Sequence, residues 1–152
     1  MTGVPTTMRP PATYAVRMSD DATTASLRRG LAGYLRAVAD ALAVPAEATS
    51  FEISDTVSAY LGLSRRWGQR PRHDLMLVWN ERHGWALAVE TEPGEPTTVV
   101  GYLASDQVAP DPAVVARFVT DVLAGRRTAA RRPDFPTTAA RDQLANELAR
   151  YI

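Results

Sequence analysis

The chain has 152 residues, 45% of them hydrophobic, with 17 basic and 17 acidic side chains and no cysteine. That length suits one domain with short tails and a core that needs no disulfide or metal, and the missing cysteine excludes a disulfide scaffold and a cysteine-ligated zinc site. A net charge of zero argues against a dedicated nucleic-acid binder, for which a strongly basic domain is expected.

Every basic residue is Arg, a bias that fits a GC-rich genome as well as any selection for guanidinium chemistry. The charge is unevenly placed. Residues 1–72 hold nine Arg and six acids, residues 73–125 two Arg and eight acids, and residues 126–152 six Arg and three acids. The N-terminal stretch is rich in Thr and Pro, with no signal-peptide run. No window approaches the 18 or so apolar residues of a membrane helix. The expectation is a soluble, cytoplasmic protein that engages no membrane.

Residues 1–20, with Pro5, Pro10 and Pro11 and no periodicity, are expected to be a disordered or loosely attached tail. A first helix is predicted from about Thr23 to Val44. Leu27, Leu31, Tyr34, Leu35, Val38 and Leu42 fall on one helical face, with Asp20, Asp21 or Thr23 as the cap. Gly30, Gly33 and Ala37 make a strip of small residues on this helix, read as close packing against the sheet.

Residues 50–64 alternate by two. Phe51, Ile53, Val57, Ala59, Leu61 and Leu63 share one face, as in a half-buried antiparallel strand. Asp55 is the one polar residue in the buried register. Gly68 and Pro71 mark residues 65–73 as a loop. Residues 74–80 and 84–90 are predicted strands joined by a short turn that ends in Gly84. Residues 91–96 form a turn around Pro93–Gly94, and 97–103 a fourth strand. Asp111–Pro112 opens a second helix with Val115, Phe118, Val119 and Val122 inward and Gly125 at its stop.

Residues 126–136 read as a basic linker. A third helix follows from about Thr138, with a narrow stripe of Leu144, Leu148 and Ile152. The boundaries are therefore a tail (1–20), one α+β domain (21–125), a linker (126–136) and an amphipathic helix (137–152). The fold class is a two-layer α+β sandwich: helix, four-stranded antiparallel meander, helix, and a C-terminal helix.

The chemistry is sparse. His73 and His83, the only histidines, sit at opposite ends of the 74–80 strand, about 20 Å apart at roughly 3.3 Å per residue, too far to share a metal. No phosphate loop, zinc-protease motif or nucleophile elbow is present. The expectation is therefore no catalytic residue, no cofactor and no metal.

The segment Arg65-Arg66-Trp67-Gly68-Gln69-Arg70-Pro71-Arg72 interleaves an aromatic with four Arg. Trp and Arg dominate protein hot spots, and the same mixture suits phosphate contacts with a base stacked on Trp67. Arg126, Arg127, Arg131 and Arg132 read as a charged tether. Asp55 is either a bulge or paired carboxylate, or the floor of a pocket.

GYLRAVADAL (33–42), AYLGL (59–63), ERHGWALAVE (81–90) and DPAVVARFV (111–119) resemble a family of small actinobacterial proteins of unknown function. The likeness spans residues 30–125, roughly, and leaves out both tails. It implies a single domain and a GC-rich bacterial host, and brings no activity, cofactor or site residue.

Three functional readings follow. The first is a non-enzymatic protein-interaction or regulatory module. It contacts its partner through Arg65, Arg66, Trp67, Arg70, Arg72, Glu81, Arg82 and His83, and can pair with itself through Leu144, Leu148 and Ile152. The second is nucleic-acid binding by the 65–72 loop and the 126–132 linker. The third is a small enzyme using Asp55 or His83.

Overall fold

The computed structural model describes the backbone of residues 12–67, 70–91, 94–126, 131–136 and 140–152; within these, residues 12–21, 66–73 and 140 are described by their backbone alone. The elements are α1 (Ala12–Ala41), β1 (Thr49–Ile53), β2 (Val57–Trp67), β3 (Arg70–Asn80), β4 (Gly84–Val89), β5 (Thr98–Tyr102), α2 (Pro112–Leu123) and α3 (Ala140–Leu148). Single 3-10 turns add Ala46–Ala48 and Ala149–Tyr151. The five strands form one sheet in chain order, every pair antiparallel. The chain is thus the α+β meander with covering helices that its patterning implies, with one strand more than expected.

The extra strand comes from residues 50–64, which are two strands and not one. Ile53 pairs with Val57 across a turn of Ser54–Thr56. A three-residue turn keeps odd positions on the same face, so Phe51 and Ile53 of β1 and Val57, Ala59 and Leu61 of β2 read as one unbroken alternation. Asp55 is therefore not in a buried register: it lies on the exposed turn. Most of the expected loop at 65–73 is strand as well, β2 running on to Trp67 and β3 starting at Arg70; residues 68–69 lie outside the described residues. Pro71 is tolerated there because β3 has only one neighbouring strand at that point.

One sheet face is apolar and packed. Leu61, Leu77 and Leu87 form one cross-strand row, Ala59, Trp79 and Trp85 the next, and all are buried. Against them lie Leu27, Leu31, Tyr34, Leu35 and Val38 of α1 and Val115, Phe118, Val119 and Val122 of α2, as the helical spacing requires. Buried aromatic tips need partners. Trp85 Nε1 donates to Tyr34 Oη at 3.1 Å, Tyr34 Oη donates to Pro110 O at 2.5 Å, and Trp79 Nε1 donates to Val108 O at 2.7 Å.

The helix ends follow local rules, with one exception. α2 closes on Gly125 at φ +72°, with Gly125 N donating to Val122 O and Arg126 N to Asp121 O, the Schellman pattern. α1 closes the same way, Ala43 N donating to Asp40 O and Val44 N to Ala39 O, but its left-handed residue is Ala43 at φ +56°. α1 also begins at Ala12, not Thr23, so Asp20, Asp21 and Thr23 lie within it and do not cap it.

Gly30 and Gly33 of the small-residue strip on α1 face the C-terminal segment, α3 and the 3-10 turn after it, and not the sheet. A Cβ on Gly30 would stand 2.8 Å from Leu148 Cβ and 2.9 Å from Leu148 O, and one on Gly33 would overlap the Tyr151 carbonyl. Backbone meets backbone, and Leu144 and Leu148 are buried in the same core as the sheet residues. The stripe proposed for self-pairing thus loses two members to the chain's own interior; Ile152 remains 64% exposed.

Two glycine–alanine exchanges are expected to move stability in opposite directions. Gly33→Ala gains helix propensity yet forces overpacking, for a net loss of about 1–3 kcal/mol. Ala43→Gly relieves a left-handed alanine and gains about 1 kcal/mol. Urea midpoints measure both; a stabilised Gly33→Ala would mean that α3 does not sit on α1.

Candidate functional site

The candidate residues are divided between the two ends of the sheet. β1 pairs with β2 only from Val57 to Leu61, and β4 pairs with β3 only from Leu75 to Asn80, with Glu90 N reaching Asp74 O just beyond. Past these limits β2, to Trp67, and β3, from Arg70, continue as a two-stranded arm with no other strand beside them among the described residues. Four residues on the β2 side, 64–67, at roughly 3.3 Å each give it a reach of about 13 Å. The register shifts between Gly62 and Arg66, and Ser64 takes a left-handed φ of +52°, a bulge at the root of the arm. Arg65 is exposed, Arg66, Trp67, Arg70 and Arg72 occupy strand positions, and the side chains of the last four fall outside the described residues.

Glu81, Arg82 and His83 form the β3–β4 turn at the opposite end. Asn80 Oδ1 accepts from Arg82 N at 2.9 Å and His83 N at 2.8 Å, and Gly84 follows at φ +68°. The hairpin is as expected, but its turn is not a free surface. The backbone of residues 133–135 lies across it: Phe135 N donates to Arg82 O at 2.7 Å, and His83 Nδ1 lies 2.8 Å from Pro133 O. Since a carbonyl only accepts, His83 carries its proton on Nδ1. Of the three, Arg82 alone is exposed; Glu81 is 6% exposed.

A buried carboxylate needs partners, and Glu81 has two kinds. Its Oε1 accepts from Val57 N at 3.1 Å and lies 3.4 Å from Arg141 on α3. The same guanidinium donates to Ser54 O at 2.5 Å and Asp55 O at 2.9 Å. Arg141 thus clamps the β1–β2 turn to the β3–β4 turn, joining through one side chain the regions of Asp55 and Glu81 that sequence reasoning treated separately. Nothing in the sequence signals this, because Arg141 stands 60 residues from Glu81 in a segment read as amphipathic helix.

Beside the clamp is a cleft of about 180 Å³ lined by Glu81, Asp106, Gln107, Phe135, Leu144 and Glu147 among others. It is smaller than the roughly 300 Å³ at which small-molecule sites begin. Among the described residues no group of three or more His, Cys, Asp or Glu is placed to hold a metal, and no helix is long and apolar enough to cross a membrane.

Two tyrosines stand out electrostatically. Burial pushes the Tyr34 hydroxyl well above its ordinary value. Tyr60, on the sheet face away from the helices, is pushed up to about 12 by partial burial and by the Glu90 carboxylate that accepts its hydrogen bond.

These features define a two-layer α+β domain with a projecting basic arm at one end and a self-covered turn at the other. The chain belongs to DUF6292, a family of unknown function, whose model matches residues 34–121. The match takes in the end of α1, the whole sheet and most of α2, and stops before the segment that covers the turn. Neither a curated protein nor a solved structure matches the chain.

Glu81→Ala strands a partly buried guanidinium and frees the two turns; the expected loss is about 2–3 kcal/mol, low for a broken buried pair because Arg141 is 37% exposed, read from urea unfolding. A second expectation concerns alkali. Tyr34 and Tyr60 hold their protons to higher pH when folded, so the stability they contribute is complete below pH 10 and, for Tyr60, is lost as pH rises through about 12. Ultraviolet titration of the five tyrosines should show Tyr34 ionising only as the chain unfolds. Titration of all five near pH 10 in the folded protein would contradict the burial described.

Proposed function

We propose that the protein is a non-enzymatic protein-binding module of an actinobacterial cytoplasm, and that the β2–β3 arm is its contact element. The observation that carries this reading is the register: β2 and β3 outrun every other strand by a ribbon that holds four Arg and Trp67 and no acid. Arg and Trp are the residue types on which protein interfaces concentrate their energy. At the other end of the sheet, Glu81 and His83 are occupied by the chain's own C-terminal segment, which makes that turn a poor contact surface. The enzyme reading draws less support, since Asp55 is on an exposed turn and His83 is tied to a carbonyl.

The second reading is nucleic-acid binding by the same arm. A two-stranded ribbon fits the major groove, and four Arg are the charge that phosphate contact requires. The two separate in one experiment: capture from lysate of the native host by the wild-type chain and by an Arg65→Ala/Arg66→Ala/Trp67→Ala variant, each with and without nuclease. The expected result is a protein that survives nuclease and is lost with the variant. Nucleic acid that co-purifies and is lost at high salt would replace this reading with the second, and capture unaffected by the variant would remove the arm from both.

A further inference from the structure

The two edges of the sheet are built differently. β5 is preceded by Pro96, and a bulge breaks its register with β4; both devices blunt an edge against further strands. β1 has neither, and its register with β2 is unbroken from Thr49 to Ile53. Glu81 N donates to Val57 O, and Val57 N donates to Glu81 Oε1, so the backbone groups of Val57 face β3. Those of Ser58 and Tyr60, in the alternate register, face β1. Their partners Glu52 and Ser50 bond inward in turn, and the N–H and C=O groups of Phe51 and Ile53 point out of the sheet. The side chains of Phe51 and Ile53 pack on the core and are only half-buried.

Between this edge and α1 lies an open groove of about 410 Å³, lined by Ala32, Leu35, Arg36, Thr49 and Phe51 among others, a size within the range of ligand sites. Arg28, Ala32 and Arg36 stand four residues apart in one stripe of α1. The Arg28 guanidinium sits over the Phe51 ring, 5.8 Å from its centroid, and Arg36 borders the groove. Both Arg are exposed, and neither has an ion-pair partner among the described residues. Of the acids nearby in sequence, Glu52 is on the opposite sheet face, and Asp40 and Glu47 do not line the groove.

We propose that an extended acidic segment of a partner protein adds to β1 as a further strand and fills this groove. The inference goes beyond the arm and does not depend on it. The outward backbone groups of Phe51 and Ile53 are matched in register by another extended backbone. Spacing then selects the side chains. Eight residues of α1 separate Arg28 from Arg36, about 12 Å at 1.5 Å per residue. On a strand, positions i and i+4 face one side about 13 Å apart. A carboxylate at each meets one Arg, and an apolar residue at i+2 falls against Ala32 and Phe51. Charge argues against a second copy as the occupant. Antiparallel pairing of two β1 edges about a two-fold axis at Phe51 sets the two α1 helices side by side, with Arg28 and Arg36 of both copies at one seam, where like charges repel.

Two end-blocked, fluorescein-labelled peptides test this, Glu-Thr-Val-Thr-Glu and Lys-Thr-Val-Thr-Lys. Each is titrated into the full-length protein and followed by anisotropy and by amide chemical shifts. The acidic peptide is expected to bind saturably, and the basic one about tenfold or more weakly than it. Shifts should be largest at the amides of Phe51 and Ile53 and smaller at those of Ser50 and Glu52, which already bond to β2. Arg28→Glu/Arg36→Glu, at two exposed positions, should weaken the acidic peptide about tenfold or more with an unchanged circular dichroism spectrum. No binding of the acidic peptide overturns the proposal, as do equal binding of the basic one and shifts confined to the arm. A wild-type dimer that protects the Phe51 and Ile53 amides replaces the partner strand with a second copy and overturns it too. None of these results touches lysate capture through the arm, so the two readings fail separately.

Discussion

Two indole nitrogens and one phenol sit in the core of this protein, and their need for hydrogen-bond acceptors organises the rest. Trp79 and Trp85 face each other across β3 and β4, their rings 6.4 Å apart. An unsatisfied buried donor costs about 1–3 kcal/mol, so each must find a partner within reach. Trp85 finds Tyr34 on α1, and Tyr34 and Trp79 find the carbonyls of Pro110 and Val108. The loop from β5 to α2 is thereby tied to the sheet and to α1. Tyr151 packs on Tyr34 at 4.9 Å between ring centroids, extending the same cluster to the C-terminal turn.

From that cluster the two ends of the molecule diverge. The C-terminal segment is seated by shape on α1, where Gly30 and Gly33 admit the backbone of residues 148–151, and by charge at the turns, where Arg141 bridges Glu81 and the carbonyls of Ser54 and Asp55. At the opposite end no further strand joins the register of the sheet among the described residues. β2 and β3 simply continue past their neighbours. An isolated two-stranded ribbon is marginal in water, so such an extension is a surface in want of something to lie against.

Much of the fold was legible because burial writes a period into the sequence. The α1 stripe from Leu27 to Val38, the Trp79/Trp85 hairpin and the Asp111–Gly125 frame of α2 are all local signals, and the structure contains each of them. What misled was also physical. A three-residue turn preserves the parity of a strand pattern, so β1 and β2 looked like one strand and Asp55 looked buried. Pro71 carries loop chemistry yet stands within β3. The glycine strip announced close packing but not against which element. The Glu81–Arg141 clamp could not be read at all, since nothing local ties two residues so far apart in the chain. The family likeness was legible as a likeness and brought no chemistry with it.

The central claim is that the chain covers its own turn end and leaves the arm for binding. Hydrogen exchange of the full-length protein, resolved to single amides, tests it most directly. The N–H groups of Glu81 and Phe135 donate to Val57 O and Arg82 O, so they should exchange slowly, in step with the centre of β3 and β4, while the amides of the arm open more readily. Fast exchange at Phe135 and throughout α3 would show that the C-terminal segment is not docked, that the Asn80–Gly84 turn is itself a free surface, and that the division between a covered end and a binding end is mistaken.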